Sequence, residues 1–139
     1  MKLLKVAPAA AFWSATAEAG QRTYFGGQYR CGRVINDSGQ TARFTTNPND
    51  KNAPNLCKFY NWPKYPNPIK CKQQTLLSNG AAGCGGCGQN RGTDVDGFTF
   101  PSVDFLWDNN LVTRGEWIKI DDLTTIRCTG ASRPVCRQI

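Results

Sequence analysis

Seven cysteines, ten acidic side chains and no histidine make up the reactive inventory of this 139-residue chain. Without imidazole, the side chain most often used as general acid or base, catalysis would fall to carboxylates, thiols, Tyr, Lys or a metal. The acids that could supply a catalytic carboxylate pair are Asp104, Asp108, Glu116, Asp121 and Asp122. Glycoside hydrolysis needs two of them to converge within roughly 5–10 Å, and no spacing here specifies such a pair. Turn and solvated strand positions account for most of these acids.

The thiols are Cys31, Cys57, Cys71, Cys84, Cys87, Cys128 and Cys136. Cys84-Gly-Gly-Cys87 has redox-motif spacing, but a lowered thiol pKa requires a helix N-terminus after a strand. Both flanks here are glycine-rich. A structural disulfide between these two, or pairing with Cys57, Cys71 or Cys128, is expected instead. Zinc is not expected, because there is no second close pair and no histidine to complete four ligands. Three disulfides and one leftover thiol give about 105 arrangements (7 × 15). Asp94-Val95-Asp96-Gly97 matches the middle of a calcium loop. However, Gly92 stands at the first ligand position and Val103 where the bidentate Glu should be. Turn chemistry explains the segment, and the expectation is no metal and no other cofactor.

A different chemistry is written between Lys58 and Lys72. Lys58, Lys64, Lys70 and Lys72 interleave with Phe59, Tyr60, Trp62 and Tyr65, and no acid occurs from Lys51 to Arg91. Flat rings stack on bases or sugar faces while ammonium groups hold phosphates. The same rings in a proline-rich loop can instead cap a small core. If RNA is the ligand, phosphate contacts are expected from Lys58, Lys64, Lys70, Lys72 and Arg127, with stacking from Tyr60 and Trp62.

These groups must be positioned by one small domain. Lys2 and Lys5, the apolar stretch Val6 to Trp13 and Ala17-Glu18-Ala19 form the pattern of a secretory signal over residues 1–19. That leaves 139 − 19 = 120 residues, 20–139, as a single secreted cysteine-rich domain. No stretch approaches the ~20 apolar residues of a spanning helix. The mature part carries 15 basic and 9 acidic side chains (17 − 2 and 10 − 1). Residues 20–91 hold ten basic and two acidic ones, and residues 92–139 five and seven. A basic first half attracts RNA, anionic lipid or acidic polysaccharide, or simply confers solubility. The cysteines fit an oxidising, extracellular location. Oligomeric state is not legible.

Thr23 to Tyr29 and Gln40 to Thr46 read as strands, with Asn36-Asp37-Ser38-Gly39 as the turn between them. Asn36-Asp37-Ser38 is also an N-glycosylation sequon, which suits an exposed turn. Residues 47–71, rich in Pro, Asn and Lys, allow only a turn or two of helix around Asn55 to Tyr60. Lys72 to Asn79 reads as a short helix stopped by Gly80. Phe98 to Phe100, Val103 to Trp107, Leu111 to Thr113, Glu116 to Ile120 and Leu123 to Cys128 read as strands, with turns at Asp108-Asn109-Asn110 and Asp121-Asp122. The expected fold is α+β: a small disulfide-stabilised domain dominated by a twisted antiparallel sheet, with at most one or two short helices.

In this order, Tyr29-Arg30-Cys31-Gly32, Asp96-Gly97-Phe98-Thr99-Phe100-Pro101 and Thr129-Gly130-Ala131-Ser132 followed by Cys136 resemble segments of the secreted fungal guanyl-specific ribonucleases. That resemblance implies a Cys31–Cys136 bond tying the chain ends and places an acid near Asp108. It supplies neither of the family's catalytic histidines, whose places fall at Cys128 and within Gln89 to Gly92, nor its long helix after the first cysteine. The chain thus looks like the catalytically dead, ribonuclease-like effectors of plant-pathogenic fungi. The function implied is a secreted virulence protein, released and then translocated into host cells or left outside them, that binds a host protein or polyanion (RNA or acidic glycan) without catalysis. The alternatives are a hydrolase of RNA or glycan using Asp108 with a second carboxylate, and a basic antimicrobial toxin. Cys128 and Cys136, with Pro134-Val135 between them, also resemble the closing cysteine pair of C-type lectin domains, whose long calcium loop is missing.

Overall fold

The computed structural model describes residues 23–25, 28–83 and 94–139. The signal-like segment 1–19, and Cys84 and Cys87, lie outside the described residues. In chain order the strands are β1 (Thr23–Phe25), β2 (Gln28–Arg30), β3 (Arg33–Ser38), β4 (Ala42–Pro48), β5 (Asn55–Phe59), β6 (Ile69–Leu76) and β7 (Gly80–Gly83). They continue as β8 (Gly97–Thr99), β9 (Phe105–Trp107), β10 (Asn110–Val112), β11 (Glu116–Lys119), β12 (Thr125–Gly130) and β13 (Val135–Gln138). No helix occurs among the described residues, so the α+β expectation is corrected to an all-β domain.

The two expected helical segments show why. Lys72 to Asn79 forms the rest of β6 and the turn into β7, and Asn55 to Phe59 is β5. Lys, Gln and Leu favour helix locally, by a few tenths of a kcal/mol each. In β6, however, Ile69 to Cys71 pair with β5, as in Leu56↔Lys70, and the strand pairs with β4 from Cys71 to Leu76, as in Arg43↔Thr75. Ladder pairing and burial of Cys71 and Leu76 outweigh that preference. The single strand expected over Thr23 to Tyr29 is instead a β1–β2 hairpin. Asn36-Asp37-Ser38 is not a turn but the end of β3, held by parallel pairing to β12 (Cys128↔Asn36, Gly130↔Ser38).

Strands β11-β5-β6-β4-β8 close into a barrel, and β10-β9-β13-β12-β3-β7 form a six-stranded sheet beside it. Antiparallel ladders dominate, as expected, but β11–β5, β12–β3 and β13–β9 are parallel. Parallel neighbours require long crossovers, and these crossovers bring residues 31–38 against residues 121–130. One core joins barrel and sheet. Phe98, Phe100, Phe105 and Trp107 meet ring to ring at centroid distances of 5.2–6.4 Å, packed with Val34, Phe44, Val95, Ile118, Ile120 and Ile126. A smaller cluster of Cys57, Phe59, Cys71 and Trp117, covered by Trp62 and Ile69, fills the β5–β6–β11 side of the barrel.

Two disulfides are defined among the described residues. Cys57–Cys71 staples β5 to β6, and Cys128–Cys136 crosses directly opposed positions of β12 and β13. Cys31 is also disulfide-bonded, to a partner outside the described residues. The Cys31–Cys136 bond implied by the ribonuclease resemblance is therefore corrected. Register explains it. Cys136 is level with Cys128, and Cys128 with Asn36, five residues along from Cys31. At ~3.3 Å per residue that is roughly 16 Å along the strand, against a disulfide limit of about 7 Å between Cα atoms.

Candidate functional site

The first candidate surface is the outer face of β5 and β6. Alternation turns Cys57, Phe59 and Cys71 inward and leaves Leu56, Lys58, Lys70 and Lys72 exposed. The pairing Leu56↔Lys70 puts the two strands' outward residues side by side. Lys58 Nζ lies 3.9 Å from Glu116 Oε2, with both side chains substantially solvated. A loose exposed pair of this kind contributes little and exchanges readily with a ligand phosphate. Tyr60 is 45% exposed just beyond β5, its backbone N–H donating to the Trp117 carbonyl.

Trp62 has a different role from the base platform expected of it. Its ring stands edge-on to Phe59 (5.1 Å) and Tyr65 (4.7 Å), and Lys119 Nζ lies 4.9 Å from its centroid. Asn61 holds this arrangement to β11, donating to the Lys119 carbonyl and accepting the Lys119 N–H. Trp62 is thus a lid on the smaller core. Lys64 sits over the Tyr65 ring at 5.5 Å. Arg127 lies on β12 of the other sheet, 3.2 Å from Asp37 Oδ2. The structure therefore gathers Lys58, Lys70 and Lys72 on one face, with Tyr60 and Lys64 in the adjoining connection. Arg127 is not part of that group.

The second candidate is internal. Asp94 and Asp96 flank Val95 just before β8, and Asp122 precedes β12. All three are buried, at 1, 4 and 6% exposure, and one carboxylate oxygen from each lies within 4.8 Å of the others. Backbone contacts fix them. Gly32 N–H donates to Asp94 Oδ1 (2.7 Å), Val95 N–H to the Gly32 carbonyl, Asp96 N–H to the Thr45 carbonyl beside the β4 bulge, and Ile120 N–H to the Asp96 carbonyl. Gly32 must be glycine: a Cβ there would stand 2.0 Å from the Val95 carbonyl oxygen and 3.1 Å from that of Asp121.

Burial, followed by the negative charges of Asp96 and Asp122, pushes the Asp94 carboxyl up to about 10, against the opposing pull of the Gly32 amide. A carboxyl–carboxyl contact in which Asp94 donates its proton to Asp122 acts in the same direction. Apart from that acid pair, Asp94 Oδ2 meets no hydrogen-bonding partner. It and Arg33 Nε are the two buried side-chain polar atoms so placed among the described residues. Three converging carboxylates in a dry environment can hold a proton or a hard cation. Asp94 and Asp96 carried a sequence signal, but read through one contiguous calcium loop. The sequence offers Asp122 as a candidate carboxylate and turn residue but gives it no link to Asp94 and Asp96, more than twenty residues away along the chain.

The other acids are committed locally. Asp104 accepts from the Arg114 amide and Nε, which lowers its pKa. Asp121 accepts from Thr124 Oγ1. Asp108 sits with Asn109 in the left-handed region (φ 51° and 70°), forming the exposed β9–β10 turn. Among the described residues one group of three carboxylates converges, and Asp108 is not in it.

Asn36, expected on an exposed turn, is fully buried. Its Nδ2 donates to the carbonyls of Gln40, Leu76 and Leu77, and its Oδ1 accepts from the Ser38 amide and hydroxyl. A glycan on Nδ2 is incompatible with this packing. No helix among the described residues is long and apolar enough to cross a membrane. No family model, curated protein or solved structure matches this chain.

Proposed function

We propose that this chain is a secreted, disulfide-stabilised binding protein whose ligand is a polyanion, single-stranded RNA in the first instance, held on the outer face of β5 and β6. The observation that carries the reading is the exposed row of Lys58, Lys70 and Lys72 beside the exposed ring of Tyr60. Secretion is inferred from the signal-like N-terminus together with the disulfides. The role of a host-directed effector follows from the likeness to dead ribonuclease-like proteins drawn from the sequence. Binding is favoured over hydrolysis because the three carboxylates that converge among the described residues are buried in the core, and Asp108, the acid that the hydrolase alternative relies on, is not one of them.

Phosphates would be held by Lys58, Lys64, Lys70 and Lys72, and a base would stack on Tyr60. Four contacts predict that log affinity falls with log salt with a slope of about −3. Fluorescence anisotropy of a labelled single-stranded RNA, titrated across a salt series, checks this. A flat salt dependence, or equal affinity in Lys70→Glu/Lys72→Glu, would sink the assignment. Tighter binding of a sulfated glycan than of RNA would move the ligand to the acidic polysaccharides.

A further inference from the structure

We infer that β10, the outer strand of the six-stranded sheet, is a self-association surface: two copies of this chain pair β10 against β10, antiparallel, about a two-fold axis at Leu111, and continue one sheet across the dimer. The surface is independent of the polyanion reading, since the lysine face lies on the barrel.

Three observations carry it. The first is where the backbone of β10 points. The turn Asp108-Asn109, with positive φ at both residues, joins β9 to β10 and sets Leu111 opposite Leu106. Leu106 N–H donates to the Pro134 carbonyl at 2.9 Å, so the polar groups of Leu106 face β13. Leu106 and Leu111 are therefore one of the ladder's non-hydrogen-bonded pairs, and the N–H and C=O of Leu111 point out of the sheet. β10 is the terminal strand, and among the described residues no hydrogen bond reaches those two groups. Two copies of Leu111 placed face to face form a hydrogen-bonded pair that exchanges both N–H···O=C bonds.

The second is an apolar strip that ends at this edge. Leu111 is 56% exposed and Val135 36%, with Leu106 half-buried between them in register. Directly opposed residues of an antiparallel pair lie on one face. Pairing Leu111 with its copy thus joins two such strips into one continuous row and shields the most exposed side chain of each. An uncovered apolar edge is the feature that recruits another strand.

The third selects a second copy as that strand. A register centred on Leu111 brings Asp108 of one copy level with Arg114 of the other, and the two-fold axis repeats the match. Both residues are exposed. Arg114 Nε holds Asp104 at 3.2 Å while its side chain stays 61% exposed, and a guanidinium has donors enough for a second carboxylate. The opposite edge, β7, runs Gly80-Ala81-Ala82-Gly83 and offers neither a large apolar anchor nor a charge.

The full chain, oxidised and with any free thiol alkylated, should sediment as a monomer near ~1 µM and chiefly as a dimer near ~500 µM, as befits a small interface. Leu111→Lys should weaken the dimer tenfold or more by placing like charges at the seam. Arg114→Glu should weaken it about threefold. Should Leu111→Lys fail to fold, the wild-type chain still decides: hydrogen exchange at the Leu111 amide should slow as protein concentration rises. A wild-type monomer at ~500 µM would overturn the assignment. So would concentration-dependent resonance shifts centred away from β10, or an undiminished dimer in folded Leu111→Lys. Protection of the Leu111 amide by an added extended peptide, but not by the protein itself, would give the edge to a foreign strand and equally end the self-pairing.

Discussion

The lysine face of β5–β6 and the carboxylate cluster beneath Gly32 are opposite solutions to the placement of like charges. On the outer face, Lys58, Lys70 and Lys72 stand in water, where screening weakens their mutual repulsion and the ammonium groups stay available. In the interior, Asp94, Asp96 and Asp122 are buried together, where desolvation and the neighbouring negative charges raise the Asp94 pKa. The lesson is that net charge by segment says little about chemistry. The basic half and the acidic half of the sequence differ less in count than in where folding puts them.

The largest effect that would break the comparison is at Gly32. Gly32→Ala drives a methyl into the Val95 carbonyl, backbone against backbone with nothing flexible to yield. It should destabilise the domain by about 3 kcal/mol or more, read by urea unfolding. Retention of wild-type stability would mean that the segments around the cluster are not held as described.

Next comes pH. Asp94 has a folded pKa raised to about 10 from an ordinary 3.8. Between those values the folded state binds more protons than the unfolded, so stability falls as pH rises from about 4 toward 10. Asp94→Asn, which keeps the shape and the acceptor for Gly32 N–H, should flatten that slope and raise the midpoint at neutral pH. A wild-type midpoint indifferent to pH between 5 and 9 would show that the carboxylates are solvated.

A smaller effect is expected on the buried amide of β3. Asn36→Asp keeps the size but replaces the donor to three carbonyls with an acceptor. A loss of about 1–3 kcal/mol is expected, read by thermal unfolding. Intact mass of the secreted protein should show no glycan. The smallest effects belong to the outer face. Lys70→Glu/Lys72→Glu should leave the stability within about 0.5 kcal/mol of wild type while cutting RNA affinity tenfold or more and lowering the salt slope. A large loss of stability there would make these lysines structural.

The sequence made several parts of this legible. The alternating apolar residues from Phe98 to Cys128 become β8 to β12 at nearly the expected places, because period-two burial is a local property. Asp108-Asn109 turns the chain where small polar residues that tolerate positive φ should. The interleaved lysines and rings of residues 58–72 were legible as composition, but their row was not: the segment reads as proline-rich loop and short helix, and only the pairing of β5 with β6 lines up Lys58, Lys70 and Lys72 on one face.

Residues 55–59 and 72–76 misled, because their local preference for helix is worth less than the ladders that claim them from β4 and β11. Asn36 misled because a sequon says nothing about burial. The pairing of Cys136 with Cys128 rather than Cys31 depends on strand register. On its own the sequence determined an extended, cross-linkable chain with a basic, acid-free stretch, since alternation, turn residues and charge runs act over a few neighbours. Only the tertiary structure decided that Asp122 meets Asp94 and Asp96. Parallel crossovers bring together residues that no local spacing connects, and burial then raises the pKa of one of three otherwise ordinary acids.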